Sequence, residues 1–153
     1  MSSIHEMLQI GDDDALILSA LAENKYCFDI GTNAGKSAMA LSKTATLVDT
    51  CDTHKPDHFV PGFAEAVQAG KINYENSGWE DIPLRAWDMV FIDHFGNRLH
   101  CAARLAVVPS IRIIAIHDTR TLSYRKSEQE MPNWRRIKHE TKLGITIFER
   151  SEG

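Results

Sequence analysis

Apolar and polar positions along this chain fall into blocks. Short apolar runs recur: "YCFDI" at 26–30, "TATLVDT" at 44–50, "KINYEN" at 71–76, "WDMVFID" at 87–93 and "IRIIAI" at 111–116. Runs of this length, rich in β-branched and aromatic residues, predict strands buried on both faces. Stretches with helical spacing lie between them. Asp12, Asp13 and Asp14 precede "ALILSALAEN". Acids suit a helix N-terminus, whose free N–H groups and dipole favour negative charge. The predicted helix runs from about Asp13 to Glu23, after an irregular or short helical lead-in over residues 1–11. A short helix follows over Ser37 to Ser42. Another starts near Pro61 and is closed by Gly70, a residue suited to the left-handed cap. "SGWEDIPLRA" reads as a loop or one helical turn. Asn97 to Val107 is helical, with Leu99, Ala103 and Ala106 on a common face, and Pro109-Ser110 breaks it.

Strands alternating with helices imply a parallel sheet covered on both faces and joined by right-handed crossovers. The tail departs from that pattern. "NWRRIKHE" and "GITIFERSE" read as two strands, and so tight a connection makes them antiparallel. The predicted fold class is therefore α/β: a Rossmann-like parallel sheet flanked by helices, with a C-terminal antiparallel hairpin, in one domain over residues 1–153.

Charge and composition narrow the function. The formal net charge is -4, with both signs mixed and no basic stripe, which argues against a nucleic-acid protein. No apolar run is long enough to span a membrane. The N-terminus has no basic-then-apolar signal pattern, so a cytoplasmic location is expected. Cys27, Cys51 and Cys101 are too few and too scattered for a disulfide framework and are expected in the core. Cys51 and His54 have metal-like spacing but lack a second pair.

In open α/β sheets the ligand lies beyond the carboxyl ends of the strands. Polar groups stand there in series: Asp29 and Gly31, then Asp49 and Asp52, then Ser77 to Glu80, then Asp93-His94, then His117-Asp118-Thr119. Helix caps account for one such acid more easily than for all of them. The loop "GTNAGKS" invites a phosphate reading, and "MVFID" resembles the apolar strand and acid of a Walker B. The Walker A motif, however, needs four residues between its first Gly and the Gly-Lys pair. Gly31 and Gly35 have three between them, and Asp29 would repel a polyphosphate. An adenosyl ligand with a cationic centre fits better. It calls for an acid at the first strand end, glycines that let the backbone approach, and an acid for the ribose about 20 residues on. Asp49 stands near that distance from Gly31.

"DIGTNAGKSAMALS" resembles the acid-x-Gly-x-x-x-Gly-x-Ser loop of class I S-adenosylmethionine-dependent methyltransferases. The likeness is to the branch of small-molecule O-methyltransferases and cephalosporin-hydroxylase-like proteins. "LVDT" resembles the ribose-binding strand end, and "WDMVFIDHFGNRLHCAARLAVVPSIRIIAIHDT" the fourth strand, helix and fifth strand. The resemblance covers residues 26–119 and implies a minimal methyltransferase fold. It implies a cofactor site built from Asp29, Gly31, Thr32, Asn33, Gly35 and Ser37 around the methionine part. Asp49 and Thr50 would serve the ribose, Ser77, Gly78 and Trp79 the adenine, and Asp93 the fourth strand end. It implies a divalent metal on Asp93, His117 and Asp118, where histidine suits Mn²⁺, Fe²⁺ or Zn²⁺ better than Mg²⁺. His117 or His94, beside Asp93, would take a proton from the acceptor.

The expected activity is methyl transfer from S-adenosylmethionine to a small-molecule hydroxyl or amine. The alternatives are a P-loop nucleotide-binding protein and a non-catalytic cofactor-binding protein of the same fold. The chain is short for this family, which leaves an acceptor pocket that is shallow, shared with a second copy in a homo-oligomer, or missing. "RTLSYRK" at 120–126 is basic enough to meet an anionic substrate, although a solvated loop is the commoner role for such a stretch.

Overall fold

The computed structural model describes residues 10–94, 96–117, 131, 133–139, 141 and 143–150. The lead-in over 1–9, Asp118 and the basic stretch 120–126 lie outside the described residues. Helix α1 (Asp12–Leu21) leads into β1 (Tyr26–Ile30), α2 (Lys36–Ser42), β2 (Leu47–Cys51), α3 (Phe63–Gln68) and β3 (Ile72–Glu75). A single 3-10 turn (Trp79–Asp81) precedes β4 (Met89–Ile92). Then come α4 (Arg98–Leu105), β5 (Ile113–His117), β6 (Trp134–His139) and β7 (Ile145–Arg150). Each predicted strand and helix is present within a few residues of its expected bounds.

The strands form one seven-stranded sheet in the order β3-β2-β1-β4-β5-β7-β6. β1 to β5 are parallel, β7 runs antiparallel to β5, and β6 pairs antiparallel with β7. β1 and β4 sit at the centre, so the loops leaving them meet at the topological switch point of the sheet. One face is covered by α1, α2 and α3, through Leu18, Leu41 and Phe63 against Val48, Met89 and Phe91. The other carries Phe28, Trp87, Ile92 and Ile114 against Cys101, Ala102 and Leu105 of α4. The buried face of α4 is thus Cys101–Ala102–Leu105, while Ala103 and Ala106 are only half-buried. The predicted face was rotated because it was drawn from spacing alone, whereas the sheet takes the residues that Asn97 turns toward it. Asn97 caps the helix, its side chain accepting from the His100 N–H at 3.0 Å. All three cysteines are buried and free, as expected for small core residues.

No helix among the described residues is long and apolar enough to cross a membrane.

Candidate functional site

The loop after β1 is shaped by two glycines with positive φ, Gly31 at 98° and Gly35 at 95°. A Cβ on Gly31 would lie 2.3 Å from the Asp93 carbonyl oxygen. The loop can therefore press against the chain leaving β4 only because residue 31 has no side chain. Four of its amides, those of Gly31, Thr32, Asn33 and Gly35, are already committed. Gly31 and Thr32 donate to the Cys51 carbonyl at 2.9 and 3.1 Å, and Asn33 donates to Asp52 Oδ2 at 2.8 Å. Lys36 turns outward to Asp12, Nζ to Oδ1 2.9 Å. A phosphate cradle needs several free loop amides and an inward lysine; here four of the loop amides are committed and the lysine faces outward.

Asp29 is fully buried under the loop. Its Oδ1 accepts from Ser37 Oγ at 2.9 Å and its Oδ2 from Thr50 Oγ1 at 2.7 Å. Thr50 Oγ1 also lies 2.6 Å from Thr32 Oγ1. Burial pushes the Asp29 carboxyl up to about 7, against the two hydroxyl donors. Asp29, Thr32, Ser37 and Thr50 therefore form a polar pin that fixes the loop from beneath.

A cavity of about 280 Å³ opens beyond the carboxyl ends of β1, β2 and β4. Of the predicted site residues, Gly31, Ser77, Gly78, Trp79 and His94 line it, joined by Asp52, Glu80, Asn97 and His100. Asp29, Thr32, Asn33, Gly35, Ser37, Thr50 and Asp93 are not among its lining residues. Among the described residues its charged lining is Asp52 and Glu80, with no lysine or arginine, so the described wall is acidic. Two buried polar atoms on its wall, Ser77 Oγ and His94 Nδ1, have no hydrogen-bond partner among the described residues. Buried polar atoms are almost always satisfied, so these two mark a place where a ligand's polar groups belong. Burial, with Arg98 nearby, lowers the His94 imidazole to about 4, which keeps it neutral at neutral pH.

Asp49 does not reach the cavity. Side chains two apart on a strand share a face, so Asp49 lies on the face of Cys51, but two residues earlier along β2, beside Tyr26 and Trp87. Its Oδ2 accepts from Trp87 Nε1 and Arg85, each at 2.9 Å, and from the Tyr26 hydroxyl. Its Oδ1 accepts from Asn73 Nδ2 at 2.9 Å. Burial alone would raise this carboxyl; the hydrogen bonds from Tyr26, Asn73, Trp87 and Arg85 hold it below the usual range. The acid beside the cavity is Asp52, three residues on, whose two oxygens accept from the Asn33 and His54 amides. A count of residues from Gly31 points to Asp49, but the acid that lines the cavity is Asp52, further along the chain.

The predicted catalytic and metal groups form a different structure. His117 is buried, with Nδ1 3.1 Å from Asp93 Oδ1 and Nε2 3.0 Å from Asp14 Oδ2. Arg98 adds Nη2 to Asp93 Oδ1 at 3.2 Å, and donates to the carbonyls of His117 at 2.7 Å and His94 at 3.0 Å. Burial disfavours the imidazolium, but Asp14 and Asp93 reverse this and raise His117 to about 9. His117 is therefore a cation held between two carboxylates, not a proton acceptor. With both ring nitrogens engaged it also has no lone pair for a metal. Among the described residues no group of three or more His, Cys, Asp or Glu side chains is placed to hold a metal ion; Asp118 lies outside them. The two predicted ligands that are described, Asp93 and His117, are engaged with each other, Asp14 and Arg98 instead.

Sequence reasoning passed over Asp14 and Arg98. Asp14 read as one of three acids at a helix start, and its carboxylate does accept from the Gly11 N–H at 3.0 Å. Only the packing of α1 on the sheet shows its second role with His117. Arg98 carries no motif; its position one residue after the helix cap is the single sequence hint.

No protein-family model matches the sequence, and no curated protein matches it. Solved structures match the fold. A methyltransferase from Geobacter sulfurreducens superposes with a TM-score of 0.78 at 10% identity, covering 95% of this chain and 81% of that one. An O-methyltransferase from Bacillus cereus, solved in complex with S-adenosylhomocysteine (SAH), gives 0.73 at 14% identity over 98% and 92% of the two chains. The 1,6-didemethyltoxoflavin-N1-methyltransferase of Burkholderia thailandensis, with 1,6-didemethyltoxoflavin and SAH bound, gives 0.68 at 12% identity over 92% and 78%. At these identities the likeness establishes the fold, which is that of the class I methyltransferases.

Proposed function

We propose that this chain, with its class I methyltransferase fold, binds S-adenosylmethionine in the acidic cavity and transfers its methyl group to a small-molecule oxygen or nitrogen. The observation that carries the reading is the cavity wall itself. Asp52, the unpartnered Ser77 Oγ and the Trp79 ring lie on one side, with Gly31 and the neutral His94 on the other. Asp52 offers carboxylate oxygens to ribose hydroxyls. Trp79 offers an aromatic face to the adenine, and Ser77 a hydroxyl to its edge. The acids at the cavity suit a sulfonium and repel phosphates. Two relatives in fold were solved with SAH, which supports the same ligand class here.

The bound cofactor supplies a methyl group already activated on sulfur. The chain's own residues then need mainly to hold and orient the two reactants. His94 is the one predicted catalytic side chain on the cavity wall. Kept neutral by burial, it can take a hydrogen bond from an acceptor O–H or N–H and so orient it, while its lowered basicity makes it a poor proton acceptor. Arg98 fixes it by binding its carbonyl and the Asp93 carboxylate; Arg98 and Asp93 are positioning residues.

One observation favours a second reading, a cofactor-binding protein without catalysis. Asp93 and His117, the expected acid–base pair, are locked in the buried ion network. Calorimetry separates the readings. S-Adenosylmethionine and SAH should bind wild type and ATP should not. Asp52→Ala should weaken binding at least about tenfold, the equivalent of roughly 1.4 kcal/mol. Binding of ATP alone would sink the proposal. Cofactor binding with no SAH released across a broad acceptor screen would select the non-catalytic reading.

A further inference from the structure

The crossover from β3 to β4 contains only the Trp79–Asp81 turn where a covering helix would fit. The sheet face over β1 and β4 is left partly open there. A second cavity of about 390 Å³ fills the gap, with Phe28, Trp87 and Leu105 among the residues that line it. At its mouth stand Leu84, 72% exposed, and Val107, 78% exposed, two of the three large apolar side chains that are most exposed among the described residues. Glu80 and Arg104 flank the same mouth. Neither makes an ion pair among the described residues.

We propose that this face is a self-association surface, on which a second copy of the chain docks about a two-fold axis. In a two-fold interface residue i of one copy meets residue j of the other, and the reverse. A patch with an apolar centre, one unpaired acid and one unpaired base is complementary to itself under that operation. Leu84 and Val107 of one copy seat against the opening of the other, and Glu80 of each pairs with Arg104 of the other. Such a pair steers the docking and fixes its register more than it adds affinity. A small apolar patch of this kind gives a reversible dimer whose population depends on concentration.

Trp79 and Glu80 also line the candidate cofactor cavity. Docking would order the turn that carries both, and so tighten cofactor binding. This linkage rests on the cofactor reading; the self-association does not.

Sedimentation equilibrium of the full chain over two decades of concentration tests it. The wild-type mass should rise toward that of a dimer. Leu84→Asp and Val107→Asp should each stay monomeric while keeping the wild-type circular dichroism, since both side chains are exposed. Glu80→Arg and Arg104→Glu should each weaken the dimer several-fold, and the double variant should recover most of that loss. A wild type that is monomeric at every concentration overturns the proposal. So does a dimer that survives both aspartate substitutions. SAH should bind Leu84→Asp a few-fold more weakly than wild type; if it binds neither, the cofactor reading fails and the mass measurement decides the dimer by itself.

Discussion

Asp29 and Asp49 are both buried acids on neighbouring strands, and burial raises both; only at Asp49 do the hydrogen-bond donors reverse it. Asp29 accepts from two hydroxyls and sits near its neutral form, pushed up to about 7. Asp49 takes four donors, two of them from Arg85 and Trp87, and stays ionised. Asn should therefore replace the first with little loss. Thr50 can accept from the new amide and turn its own proton to Thr32 Oγ1. Asp29→Asn is expected within about 1 kcal/mol of wild type, by the ordinary net value of one hydrogen bond. Asp49→Asn removes a charge that balances Arg85 and turns a donor toward donors, so it should cost about 2–4 kcal/mol. Urea unfolding of the two variants measures both, and equal losses would refute the distinction. The pair also shows what a sequence conveys at this scale. The residue types at the strand ends pointed to the ligand class, and Gly31 and Gly35 to the loop. The choice between Asp49 and Asp52 depended on how far along β2 each stands and on where pairing stops, at Cys51, and that belongs to the sheet.

At the scale of elements, the unexpected feature is how α1 is tied to the sheet. Asp14 on α1, His117 at the end of β5, Asp93 after β4 and Arg98 on α4 form one buried network of two anions and two cations. A histidine with its folded pKa raised to about 9 from 6.5 binds its proton more tightly folded than unfolded. Its contribution is fully present below pH 6.5 and is lost as pH rises to about 9; across that window it amounts to an order of 2–3 kcal/mol. Asp14 has its pKa lowered, through His117 among other partners and against its own burial, so its contribution is present above about pH 4 and is lost in acid. Chemical denaturation from pH 6 to 9.5 should show stability falling in the wild type. His117→Gln should be less stable at pH 6 and nearly flat up to pH 9.5. A wild type with no slope there would show that His117 is neutral in the fold. The helices themselves were legible because their spacing and caps are local. This network was not, because Asp14 and His117 are 103 residues apart and no local pattern joins them.

For the whole molecule, the strand order β3-β2-β1-β4-β5-β7-β6 gathers the ends of β1, β2, β3 and β4 at the cavity, and leaves the β6–β7 hairpin at the far edge. A ligand there ties four strands together and leaves the hairpin untouched. Bound at a hundred times its dissociation constant, SAH should add about 2.7 kcal/mol by mass action. For a chain of 153 residues that raises Tm by about 5–11 °C. Hydrogen exchange should then locate the effect. Amides near 77–79 and 96–98 should slow on binding. Those of Gly31, Thr32 and Asn33, already bonded to Cys51 and Asp52, should change less, and those of Trp134–Arg150 not at all. Protection concentrated in the hairpin would place the ligand elsewhere. A thermal shift with ATP as large as that with SAH would mean that the acidity of the cavity does not select its ligand.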